Sequence, residues 1–143
     1  MFKLPIALVG SAALAVTMLA TPVLAQDTEA LAKAPPPAPY AQVSELVKLP
    51  DYLPGLGTLY VDPATLPAGP FLGYDHDGKL SATIYMTPIA DLQNGTAYDD
   101  LKVGSHDVDS VDIYFNAGHP GVEEPHVHVV LFHDDGAKAR LAQ

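Results

Sequence analysis

Short stretches of alternating apolar and polar residues, separated by turn signals, recur in the second half of the chain. Residues 107–115 show this alternation best, with Val111, Ile113 and Phe115 on one side. Residues 126–132 form a valine-rich apolar run that is too short for a typical helix. Both patterns favour β-strands, because side chains in a strand alternate between its two faces.

Shorter patterns of the same kind predict the rest of the fold. Strands are expected over residues 57–61, 71–74 and 79–86, with turns at the Asp-Gly pair 77–78 and the Asn-Gly pair 94–95. Prolines and glycines are dense in residues 62–70, which predicts a loop. The expected fold is mainly β: a small antiparallel sandwich or barrel-like domain with long Pro/Gly-rich loops.

Four segments organise the chain. An apolar run over residues 4–20, followed by Val23-Leu24-Ala25, predicts a signal peptide at residues 1–25, with an uncleaved membrane anchor as the alternative. Residues 26–50, which contain Ala-Pro-Pro-Pro-Ala-Pro, are expected to be a disordered linker. The β domain is expected over residues 51–135, and residues 136–143 as a polar tail.

The composition of the chain narrows the classes of function and partner that can be expected. The signal peptide predicts a periplasmic or secreted protein, yet the chain has no cysteine and therefore no disulfide. Its stability would come from its core, from a metal or from a homo-oligomer. The formal net charge of −10, with nothing basic clustered, argues against a nucleic-acid partner. No stable membrane insertion is expected after processing.

The last two predicted strands suggest a register. Pairing their apolar faces sets Val111, Ile113 and Phe115 beside Val127, Val129 and Leu131, and this apolar side is expected to face the core. The same register sets Tyr114 opposite His128 and Asp112 opposite Val130. Tyr114 and Asp112 are therefore candidates to support the histidines from a second layer.

Four of the six histidines lie in residues 119–133, where His126 and His128 share one strand face. His119, in the loop before that strand, is a third candidate ligand, with Glu124 and His133 as further ones. Imidazole and carboxylate ligands suit a divalent Zn, Cu, Fe, Ni or Mn ion. The alternatives are a metal-free structural or ligand-binding module and a small metal-dependent enzyme of unknown reaction.

The histidine motif resembles known families in part. Gly121 followed by His126-x-His128 resembles the first cupin motif, with His133 where cupins carry a glutamate. His126-Val127-His128 also resembles the copper-binding strand of copper/zinc superoxide dismutase, whose further histidines and disulfide are missing here. A more extensive similarity, through residues 57–62, 67–70 and 119–128, is to uncharacterised exported bacterial β proteins that end in a Pro-His-x-(His/Asp) strand. This resemblance implies export and a β fold, without an assigned activity.

Overall fold

The computed structural model describes residues 27–143, which form one six-stranded antiparallel sheet and a few short helices. The strands are β1 (Ala41–Gln42), β2 (Thr58–Val61), β3 (Phe71–Tyr74), β4 (Leu80–Pro88), β5 (Ser110–Asn116) and β6 (His126–Phe132). The α-helices are α1 (Val43–Leu46), α2 (Ile89–Gln93) and α3 (Ala137–Leu141), and Pro63–Thr65 forms a 3-10 turn. Within these residues no helix has the length and apolar character needed to cross a bilayer.

The mainly β fold predicted from the sequence is confirmed. β3 and β6 occupy the predicted residues, and β2, β4 and β5 differ from prediction by at most three residues at an end. Gly78 and Gly95 have φ angles of 71° and 81°, the left-handed conformation that the two turn signals require. The predicted signal peptide, residues 1–25, lies outside the described residues and stays a prediction.

The strand order is β1-β2-β3-β4-β6-β5, so β5 lies at one edge. Directly opposed residues of antiparallel strands point to the same side, which defines two faces. The inner face carries most of the main core, including Ile84, Met86, Val130 and Phe132. Inner-face side chains of β2 to β6 also line one cavity of about 530 Å³, which α1 and loops cover. The sheet is therefore barrel-like.

The predicted register of β5 and β6 is confirmed, but its orientation is not. Ile113 pairs with Val129 and Tyr114 with His128, as expected. The histidine side of β6, however, is the buried inner face. Val111, Ile113 and Phe115 lie on the opposite, outer face, where all three are exposed, while Val127, Val129 and Leu131 are half-buried. The expected core side is therefore wrong, because the outer face of β5 stays largely exposed whereas the histidine side is covered.

The N-terminal boundary of the folded unit also differs from the prediction. In residues 27–50 the structure has β1 paired with β2, and Leu31 buried against Tyr74 and Leu80. The Tyr74 hydroxyl donates to the Leu31 carbonyl over 2.8 Å. The expected disordered linker is thus corrected to a packed segment for these residues, since Leu31 packs against β3 and β4 and Val43 lies in the main core.

The predicted polar tail is corrected in the same way, because α3 closes the inner face. Ala137 and Leu141 are fully buried in the main core. Arg140 donates from Nε to the Asp75 carboxylate over 2.7 Å and also pairs with Asp134. Burial raises the pKa of Asp75, but hydrogen bonds from the Lys79 backbone N–H and from Arg140 outweigh it and lower that pKa overall. This ion-pair network anchors the C-terminal helix to the β3–β4 hairpin.

Candidate metal centre

Three histidine side chains meet at the inner face. His126 Nε2 lies 3.2 Å from His119 Nε2 and 2.9 Å from His128 Nε2. One ligand nitrogen from each of the three rings lies within 4.8 Å of the others. In a tetrahedral zinc site the ligand nitrogens are about 3.3–3.4 Å apart, because each lies about 2.0–2.1 Å from the ion. The three imidazoles could therefore hold one metal ion between their Nε2 atoms.

The outer nitrogens of the rings determine where the protons lie. His119 Nδ1 lies 3.0 Å from the Pro120 carbonyl oxygen, and His126 Nδ1 lies 2.7 Å from the Glu124 carbonyl oxygen. A carbonyl only accepts, so each ring in its neutral form carries its proton on Nδ1. In that form the Nε2 atoms of His119 and His126 each direct a lone pair toward the space between the rings. A cation in that space would be bound by both.

A tight turn brings His119 back over the strand. His119-Pro120-Gly121-Val122 is a β-turn in which the Val122 N–H donates to the His119 carbonyl over 3.0 Å. Proline at the second position and glycine with a φ of 93° at the third are the signature of a type II turn. Val122 is buried in the main core, so it fixes the turn to the domain.

Glycine is also required just before the turn. Gly118 has a φ of 128°, and a Cβ placed there would lie 2.2 Å from the Glu123 carbonyl oxygen. The two sides of the loop can therefore approach each other only with glycine at this position.

The two strand histidines are held by the sheet. His126 is paired with Pro88 and His128 with Met86 of β4, and the two rings stack with centroids 4.8 Å apart. His126 is 0% exposed and His128 nearly so. Burial, followed by the neighbouring His126 and His119, lowers the pKa of His128 to about 4. His128 is thus neutral at physiological pH, with a lone pair available to a metal.

The two residues predicted to support the histidines, Tyr114 and Asp112, have different partners in the structure. The Tyr114 hydroxyl lies 3.1 Å from His128 Nδ1, where it can fix the orientation of that ring. Asp112 instead forms an ion pair with Lys138 of α3. The charge of Asp112 is therefore matched at α3 rather than at the histidines.

Two other candidate ligands are not brought to the site. The side chain of Glu124 is exposed, and only its carbonyl oxygen contributes, as the acceptor for His126 Nδ1. His133 is buried with Nε2 2.8 Å from Thr83 Oγ1 and Nδ1 2.7 Å from the Asp107 carbonyl. Its position one residue beyond Phe132 gives it the opposite parity, so it points to the outer face. Neither side chain joins the three rings, so the prediction of Glu124 and His133 as further ligands is corrected.

The histidine triad borders the cavity on the inner face. His119 and His128 are part of the cavity wall, whereas His126 is not. Sequence reasoning missed this cavity and the backbone acceptors at Pro120 and Glu124. The turn signature His-Pro-Gly-Val could have located His119 more firmly, but the backbone acceptors leave no signal in side-chain identity.

The chain is similar to a protein whose crystal structure is known. No protein-family model matches the chain, and no curated protein matches it either. The crystal structure of the hypothetical protein TTHB210 from Thermus thermophilus matches with a TM-score of 0.59 and 41% sequence identity, covering 66% of this chain and 94% of that chain. The name of that hypothetical protein assigns no activity to it. Because this identity extends over nearly all of the Thermus protein, the chain belongs to the same protein family as TTHB210.

Proposed function

We propose that the chain binds a divalent transition metal ion through Nε2 of His119, His126 and His128. The observation that carries the proposal is the convergence of three imidazole nitrogens, with His126 Nε2 within 3.2 Å of both others. A shared cation stabilises imidazole nitrogens that converge at this distance, because each can donate a lone pair to it. A transition metal meets that need at neutral pH, where imidazole is a good ligand.

The donor set narrows the choice of metal. Three imidazoles favour Zn, Cu, Fe or Ni, whereas Mn prefers carboxylate oxygens, and no carboxylate joins the triad among the described residues. Three protein ligands are also the number found in zinc sites that keep a coordination position for another molecule. We therefore place zinc and copper first among the ions to be tried.

Titration of Zn²⁺ and Cu²⁺ into the purified protein, followed by calorimetry, tests the proposal. His119→Ala removes one ligand from a half-buried loop position and should leave the sheet intact. We expect the metal affinity to fall by roughly two orders of magnitude or more, because an ion held by three ligands is poorly retained by two.

The matched control is His106→Ala, since His106 is exposed and lies outside the triad. It removes one imidazole from the chain and should bind metal as the wild type does. Equal metal affinity in wild type and His119→Ala would contradict the proposal, provided that circular dichroism shows both to be folded. Equal losses in the two variants would point to nonspecific binding by surface histidines and would also contradict it.

A further inference from the structure

We propose that the cavity beside the triad binds a small, mostly apolar molecule whose one carboxylate group ligates the bound metal. This inference rests on the proposed function, because the carboxylate needs the metal as its partner.

The first step is the position of the triad in the cavity wall. His119 and His128 line the cavity, and His126 is fully buried behind them. A metal held by the triad would therefore border the cavity. A molecule in the cavity could complete the coordination of that metal.

The charge of the bound metal favours an anionic ligand. Three neutral imidazoles leave the two positive charges of a divalent ion uncompensated, and no carboxylate lies in the triad within residues 27–143. A charge away from water is costly unless it is paired. An anionic oxygen ligand supplies that pairing, and a carboxylate is the simplest group that does.

The third step is the chemistry of the remaining wall. Side chains such as Leu53, Leu59, Phe71, Met86 and Val130 make it largely apolar. The polar side chains in the wall come mainly from β5 and α3, and two of them, Asp112 and Lys138, neutralise each other. The wall thus offers one strong polar partner, the metal, and favours an apolar body for the rest of the ligand.

The size of the cavity fits a small molecule. A volume of about 530 Å³ falls in the range of about 300–1,000 Å³ that is usual for small-molecule pockets. From β6, which carries the histidines, to β2 there are three strand spacings, or about 14 Å. The cavity can therefore hold a medium-length acyl chain with its carboxylate at the histidines.

Calorimetric titration of decanoate into the zinc-loaded and the metal-free protein tests the inference. We expect zinc to tighten decanoate binding on the order of tenfold or more. Decanol, which has the same chain without the charge, should bind both forms equally. Acetate, which has the charge without the chain, should bind the zinc form much more weakly than decanoate does.

Two matched variants show where the ligand binds. Leu53→Trp places bulk in the cavity wall at a residue outside the triad, and it should abolish decanoate binding while zinc affinity stays unchanged. Leu92→Trp makes the same exchange at an exposed position that is not part of this cavity, and it should bind decanoate as the wild type does.

The outcomes separate the two proposals. Zinc uptake by the triad with equal decanoate affinity in both forms would overturn this inference alone. Decanoate binding that survives in Leu53→Trp would do the same, because the ligand would then lie elsewhere. Failure of the triad to bind zinc or copper would overturn the proposed function and this inference with it.

Discussion

On the β5–β6 pair, an apolar row lies on the exposed outer face and two histidines lie on the buried inner face. The outer face carries the apolar row Val111, Ile113 and Phe115, and these side chains are exposed. The inner face of the same pair carries polar residues, including His126 and His128, which are buried. The apolar row of β5 and the two histidines of β6 therefore depart from the usual rule that apolar side chains lie inside, whereas Val130 and Phe132 of the inner face follow it.

The difference shows what burial of the histidines requires. A buried polar group is costly unless its hydrogen bonds are satisfied. His126 and His128 meet this condition on one side through the Glu124 carbonyl and the Tyr114 hydroxyl. On the other side their Nε2 atoms meet each other and His119, and the proposed metal site rests on this arrangement. The exposed outer row has no comparable constraint.

The largest expected effect comes from matched isoleucine truncations on the two faces. Ile84 lies on the inner face and is 0% exposed, whereas Ile113 lies on the outer face and is 69% exposed. Ile84→Ala should lower the free energy of unfolding by about 2–5 kcal/mol, because it leaves a cavity in the core. Ile113→Ala should change it by less than about 0.5 kcal/mol.

Urea denaturation of the two variants measures these free energies. Equal losses would break the comparison, since they would mean that the outer face is as buried in solution as the inner one. A large loss for Ile113→Ala that disappears on dilution would show that the outer row is covered by another copy of the chain.

A smaller effect is expected from neighbouring aromatic residues of β5 that point to opposite faces. Tyr114→Phe removes the hydroxyl beside His128 Nδ1 but keeps the ring. Zinc affinity should fall by about 10–100-fold, as is usual when a group that orients a metal ligand is lost. Phe115→Leu changes the adjacent outer-face residue and should leave zinc affinity unchanged, as measured by competition with a chelating dye.

Two results would contradict this expectation. If Tyr114→Phe bound zinc as the wild type does, the hydroxyl would have no part in orienting His128. If Phe115→Leu lost affinity to the same extent, the effect would come from the strand as a whole rather than from the inner face.

The smallest expected effect is a pH dependence at His133, the histidine that points to the outer face. Burial lowers the pKa of His133, although the Asp107 carbonyl and nearby acidic groups oppose the shift. A histidine in the unfolded chain titrates near pH 6.5. Below that pH the unfolded chain takes up this proton more readily than the folded chain, so stability is lost as the pH falls.

Free energies of unfolding at about pH 7.5 and about pH 5.5 measure this dependence. The loss between the two values should be smaller in His133→Gln than in the wild type. His106→Gln, at an exposed position, should keep the wild-type loss. A loss in His133→Gln equal to that of the wild type would show that His133 does not contribute to the pH dependence.

Much of the fold follows from local sequence patterns. Alternation and turn residues identified five of the six strands, and matching apolar positions produced the correct β5–β6 register. β1 escaped because its two residues, Ala41 and Gln42, are too few to show a period. The C-terminal helix escaped because its burial rests on Ala137 and Leu141 alone, within an otherwise polar segment.

The candidate site was predictable only in part. The alternation of side chains along a strand predicted that His126 and His128 share one face. The position of His119 in the preceding loop predicted that it lies near them. The orientation of that face depends on what covers it, and the covering segments, such as α1, are distant in sequence. The positions of Glu124 and His133 likewise depend on backbone direction and strand parity, which composition alone does not reveal.

X-ray absorption spectroscopy of the protein loaded with stoichiometric zinc tests the central claim most directly. The account predicts a first shell containing three imidazole nitrogens at about 2.0–2.1 Å. It also predicts that one imidazole is lost from this shell in His119→Ala and none in His106→Ala. A shell dominated by carboxylate oxygens, or one that is unchanged in His119→Ala, would contradict the account.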